Sequence, residues 1–125
     1  MATDRRASWL KGVLDLLVLS CLTDGESYGY EIARRLEEAG LGTIRGGTLY
    51  PVLNRLEEAG LLDAEFRAAE RGPGRRYYRL TEAGSTVLHE QGAAWNEFHR
   101  LVGEHLAKGL AGRRPEGITG KGPTA

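Results

Sequence analysis

Residues 10–22 are apolar at nearly every position: Val13, Leu14, Leu16, Leu17, Val18, Leu19, Cys21 and Leu22. A helix apolar on all sides is buried on all sides. Such a helix either sits in the middle of its fold or is covered in part by a second chain. Asp24-Gly25 ends it. Ser27 is the expected N-cap of a second helix over residues 28–39. Tyr28, Ile32 and Leu36 recur there four residues apart as one stripe, and Gly40 closes the helix. Residues 41–47 hold three glycines and read as a loop. Thr48 is the expected N-cap of a third helix that ends near Gly60. Pro51 then lies in the first turn, where it removes no intrahelical bond. Leu49, Val52, Leu53 and Leu56 form the buried face of this helix, with Thr48, Tyr50, Pro51, Asn54, Arg55 and Glu58 on the other side.

The period then changes. Leu62, Ala64 and Phe66 alternate with polar residues, and Arg76, Tyr78 and Leu80 alternate with Arg75, Tyr77 and Arg79. Two such runs flanking Gly72-Pro73-Gly74 predict a β-hairpin with a projecting tip. Thr81 caps a last helix reaching about Leu110. Leu88, Trp95 and Val102 are spaced by seven, with Phe98 and His105 in a second series, which is a short coiled-coil-like seam. A lone helix of this kind has too little of its own domain to pack against, so the pattern predicts a homodimer. Gly84, Gly92 and Gly103 each weaken the helix by up to ~1 kcal/mol relative to alanine. Contacts outside the helix must therefore hold it.

Three helices, a hairpin and a long helix make a mainly α chain with a β-hairpin (α+β), arranged as a winged helix-turn-helix. Residues 1–9 are expected to be a flexible N-terminus and residues 10–80 the winged unit. Residues 81–110 are the dimerisation helix, and residues 111–125, rich in Gly and Pro, a disordered tail.

Composition permits a packed core, with 41% hydrophobic and 27% charged residues among 125. The most apolar run contains Asp15 and Ser20 and falls short of the ~20 residues a membrane span needs. No small-residue cleavage site follows it. A single cysteine, Cys21, rules out an internal disulfide framework. The expectation is a soluble cytoplasmic protein without membrane contact. Net charge is zero, from 17 basic and 17 acidic side chains, which alone does not suggest a nucleic-acid partner. The distribution changes that picture, because residues 61–80 carry five arginines against three acidic groups.

A helix-turn-helix sets its second helix in the DNA major groove, with the first residues of that helix at base edges. Here these are Thr48, Tyr50 and Asn54. Asn pairs bidentately with adenine, and a threonine methyl meets the thymine methyl. Tyr28 and Tyr30 begin the preceding helix, where amides and phenols hold phosphate. Arg71, Arg75 and Arg76 surround the hairpin tip and suit the minor groove or phosphates. Winged helices also serve as protein-interaction modules without DNA, and zero net charge keeps that alternative open. Other chemistry finds no support. His89, His99 and His105 lack metal-ligand spacing. Gly40-x-Gly42 has no preceding strand and no dinucleotide fingerprint. No nucleophile, base and orienting group assemble. Neither catalytic residues, a metal nor a cofactor is expected.

Several blocks agree in order and spacing with one family. Tyr28-Gly29-Tyr30-Glu31-Ile32, Gly47-Thr48-Leu49-Tyr50-Pro51-Val52-Leu53, Arg55-Leu56-Glu57, Gly60-Leu61, the run from Gly74 to Thr81, and Gly84 resemble the PadR-like family of bacterial transcription regulators. The match covers roughly residues 10–108. With one helix after the wing, the chain looks like the short subfamily. The resemblance implies a dimeric repressor of a double-stranded DNA operator, with the first and last helices at the dimer interface. Leu14, Leu88, Trp95, Phe98 and Val102 are the interface residues this implies. It also implies a small aromatic or hydrophobic effector at the dimer centre, stacked on Trp95 beside His99, with Leu16 and Ser20 on the matching face of the first helix. A Trp95 that simply packs the dimer is the alternative.

Overall fold

A computed structural model describes residues 5–112. Most of the tail expected over residues 111–125 lies outside the described residues. The long apolar segment forms two helices rather than one, α1 (Arg6–Lys11) and α2 (Leu14–Cys21). Gly12 and Val13 break it. Their N–H groups bond three residues back, to Trp9 O at 3.1 Å and Leu10 O at 3.0 Å, a tight turn at a residue with poor helix propensity. Residues 6–9, expected within the flexible N-terminus, are helical. The apolar character of α2 is used mostly inside the chain: Leu14, Val18 and Leu19 are buried, and Leu16, Leu17 and Cys21 are half-buried against the core.

Ser27 is not a helix cap. It belongs to a two-residue strand, β1 (Ser27–Tyr28), paired antiparallel with residues 78 and 77 of a later strand. Its buried hydroxyl donates to the Glu31 carboxylate. Helix α3 (Gly29–Glu38) starts directly after the extended Tyr28. Helix α4 (Gly46–Glu58) starts two residues before Thr48, with Arg45 at the N-cap and no side-chain cap. Pro51 therefore lies in the second turn, and the Gly47 carbonyl four residues back receives no N–H from it. The expected buried face of Leu49, Val52, Leu53 and Leu56 is the one observed.

Helices α3 and α4 end in the same seven residues, Arg-Leu-Glu-Glu-Ala-Gly-Leu, at 35–41 and 55–61. Both copies close in a Schellman motif. Gly40 (φ 89°) and Gly60 (φ 79°) take the left-handed conformation. Leu41 N–H reaches Leu36 O at 3.1 Å, and Leu61 N–H reaches Leu56 O at 2.9 Å.

The hairpin strands have the bounds the alternation predicts, β2 (Leu62–Arg67) and β3 (Arg75–Leu80). Their register runs from Leu62 opposite Leu80 to Arg67 opposite Arg75. Strand β3 is central, in the order β1-β3-β2, and it plants Tyr78, 1% exposed, in the core. Helix α5 (Glu82–Leu110) follows. Thr81 caps it as expected, accepting the Gly84 N–H at 3.0 Å. The Thr81 hydroxyl and N–H also donate to Gly60 O and Leu61 O, at 2.7 and 3.1 Å. Gly84 is buried there. A Cβ on it would stand 2.1 Å from the Leu61 carbonyl oxygen. A glycine that looks like a helix defect in sequence is the point of closest approach between two backbones.

The chain divides after Gly92 into two compact units. The first holds the core, built around Val18, Leu19, Ile32, Leu49, Leu53 and Leu62. Each fully buried aliphatic side chain of this kind contributes ~1.5–3 kcal/mol. In the second, every described side chain is exposed.

Candidate nucleic-acid interface

Because α4 spends its Leu and Val side chains on the core, its opposite side is free. Thr48, Tyr50, Asn54 and Arg55 are exposed there, and Arg45 is exposed where the helix begins. Neither Arg45 nor Arg55 forms an ion pair among the described residues. Neither is among the DNA contacts expected from the sequence, although Arg55 lies on the expected outward face. Arg45 becomes visible as a candidate once the helix is known to start at Gly46.

Tyr50 is held as well as exposed. Its side of α4 meets the start of α3, where a Cβ on Gly29 would lie 2.5 Å from the Tyr50 Oη. A side chain at position 29 would push the ring out of this position. Gly46 packs on its other side, with a Cβ position 3.4 Å from Tyr50 Cδ2. The tyrosine is 45% exposed, so much of its ring faces away from α3. Tyr30 is 66% exposed on the first turn of α3.

Tyr28 sits in a ladder rather than standing alone. The Arg75 guanidinium lies over its ring, 4.3 Å from the centroid. Tyr77 meets it edge-on, with centroids 5.4 Å apart and an interplanar angle of 64°. The Arg67 guanidinium covers Tyr77 at 4.5 Å and donates to Glu26 Oε1 at 2.9 Å. The Arg67 hydrogen bond holds the Glu26 carboxyl below the usual carboxylate range. Cation–π contacts favour the flat guanidinium of arginine, so the ladder orients the wing arginines and joins the hairpin to β1.

The remaining predicted wing residues separate. Arg71, in the turn between β2 and β3, is exposed and has no ion-pair partner among the described residues. Arg76 Nη2 donates to Glu57 Oε2 of α4 at 2.7 Å. Burial pushes the neighbouring Tyr78 phenol above its ordinary range, with the Arg76 charge opposing it.

The residues expected at the dimer interface and effector slot fall into two groups. Leu14, expected between chains, is 1% exposed. It is enclosed in the chain's own core and has no surface left for a partner. Leu88 and Leu16 are half-buried against the same core, and Ser20 is exposed on α2. Trp95, Phe98 and Val102 are 37%, 61% and 40% exposed on α5, and Leu101 and Leu106 extend the apolar surface at 49% and 57%. Trp95 and His99 stack, with centroids 5.1 Å apart and planes 15° from parallel. Among the described residues no cluster of His, Cys, Asp and Glu is placed to hold a metal ion, and no helix is long and apolar enough to cross a membrane.

Comparison with known proteins agrees with this arrangement. A family model described as "Transcriptional regulator PadR-like family" matches residues 18–90. The chain is 38% identical over 92 residues to Transcriptional regulator Rv3488 of Mycobacterium tuberculosis, covering 74% of this chain and 84% of that protein. A crystal structure of a PadR family transcriptional regulator from Eggerthella lenta shares 38% identity and a TM-score of 0.72, over 80% of this chain and 87% of that one. A PadR-like transcription factor from Bacteroides fragilis shares 36% identity and a TM-score of 0.66, over 81% and 98% of the two chains.

Proposed function

We propose that this chain, which belongs to the PadR-like family of transcriptional regulators, grips an operator duplex as a homodimer and represses transcription from it. The observation that carries this reading is the exposed side of α4, with Thr48, Tyr50 and Asn54 held in place by buried leucines on the opposite side. One helix of this width fits a major groove. Arg75 on its tyrosine support and Arg71 at the hairpin tip suit the flanking phosphates or the minor groove, and Tyr28 and Tyr30 suit the backbone on the other side. The apolar surface of α5 supports dimerisation. Six side chains from Trp95 to Leu110 are 37–82% exposed in the single chain, and seams of this spacing close by pairing. The Trp95–His99 stack supports a flat aromatic effector at the dimer centre, which would relieve repression by favouring one spacing of the two α4 helices.

The test is selection of a duplex by the full chain from a randomised library, followed by titration at several salt concentrations. A solution mass of twice 13.7 kDa and a selected palindromic duplex are expected. Tyr50→Ala loses preference for that duplex. Arg75→Ala weakens every duplex and flattens the salt dependence by about one unit. A chain that selects no duplex refutes the DNA reading and leaves a protein-interaction module. The effector is tested separately, by quenching of Trp95 fluorescence in a Trp9→Phe background with a panel of planar aromatic compounds.

A further inference from the structure

Arg75 and Arg76 are neighbours in sequence and opposites in the sheet. Side chains alternate faces along a strand, so Arg76 shares the inner side of β3 with Tyr78, which is 1% exposed, and with half-buried Leu80. Arg75 shares the outer side with Tyr77 and Arg79, and its guanidinium lies over Tyr28. The inner side is the one that meets α4, and there Arg76 Nη2 is 2.7 Å from Glu57 Oε2. Glu57 stands one turn beyond Asn54 on the same helix that carries Tyr50. A carboxylate so placed repels phosphate unless a cation cancels it, and Arg76 is the cation in contact. For Arg76 to reach DNA it would have to abandon Glu57 and leave that charge bare.

We infer that Arg76 is a positioning residue and not a DNA contact: bound to Glu57, it fixes the wing against α4 and thereby governs discrimination between duplexes. The inference rests on the DNA-binding reading above. It assigns the two adjacent arginines different work, with Arg75 delivering charge to the duplex and Arg76 setting where the wing stands. An exposed pair of this kind adds little to folding stability, so its effect is read in binding.

The experiment uses the full chain and two probes: the duplex the parent selects from a randomised library, and an unrelated duplex of equal length. The paired variant Glu57→Gln with Arg76→Gln, which removes the tether without baring a charge, is expected to lower the affinity ratio between the two about tenfold while leaving the salt slope on the unrelated duplex unchanged. Glu57→Gln is expected to lower the ratio similarly and to steepen that slope by about 0.9, because Arg76 is released to phosphate. The exchanged pair, Glu57→Arg with Arg76→Glu, restores most of the ratio at constant net charge. Unfolding midpoints of all variants stay close to the parent's. The inference is overturned if the paired Gln variant keeps the parent's ratio and flattens the slope by about 0.9, as loss of a phosphate contact would, or if the exchanged pair fails to recover discrimination. A parent that selects no duplex ends the underlying reading, and this inference with it, before any variant is made.

Discussion

The heptapeptide that ends α3 and the identical one that ends α4 make the same backbone and do different work. In both, the leucine at the second position is buried, at 5% for Leu36 and 4% for Leu56. In both, glycine reverses the chain with φ near 80–90° and the last leucine's N–H returns to the first leucine's carbonyl. Outside that frame nothing matches. Leu41 is 39% exposed, whereas Leu61 is half-buried and its carbonyl receives Thr81 and abuts Gly84. Arg35 donates to the Cys21 carbonyl at 3.0 Å, whereas Arg55 has no ion-pair partner among the described residues. Glu37 accepts from the Thr43 hydroxyl at 3.0 Å, whereas Glu57 takes Arg76 of the wing. Local sequence determines the cap. What arrives next along the chain, a glycine loop in one case and a hairpin in the other, determines what the capped helix is for.

That contrast can be broken at several strengths. The largest effect belongs to Gly84→Ala, which forces a methyl into the Leu61 carbonyl and should cost about 3 kcal/mol in urea unfolding. A loss under ~1 kcal/mol would mean that the contact yields easily. Next, Leu61→Ala should cost about 2 kcal/mol and Leu41→Ala less than ~0.5 kcal/mol. Equal losses would show that the two environments are equivalent after all. Gly40→Ala and Gly60→Ala should each cost about 1 kcal/mol and agree with one another, because the strain is local. The smallest effect is expected for Glu37→Gln and Glu57→Gln, each within ~0.5 kcal/mol in stability, with only the second altering DNA discrimination.

The same division between local and non-local forces explains what the sequence reveals. The hairpin bounds and the Thr81 cap were legible, because alternation and capping are written in consecutive residues. The buried stripe of α4 was legible for the same reason. Strand β1 was not, since two residues carry no period; only its partner β3 defines it. The start of α4 was missed because a threonine is a better cap than an arginine, yet Gly46 and Gly47 extend the helix. The resemblance points Leu14 toward a partner, and a helix apolar on all sides does not say which side faces its own core. In the candidate site, the outward residues of α4 were readable from its period. The separation of Arg75 from Arg76 was also present in the alternation, but grouping arginines by proximity to the tip obscures it.

The fit of Tyr50 over Gly29 has a consequence for how the chain can vary. Position 29 cannot gain even a methyl without displacing the phenol, and a smaller residue at position 50 removes the reason for glycine twenty-one places earlier. The two are expected to drift only in concert across descendants of this chain. A lineage that trades the tyrosine away to read a different base is thereby released to put alanine at the head of α3, where it favours the helix more than glycine does.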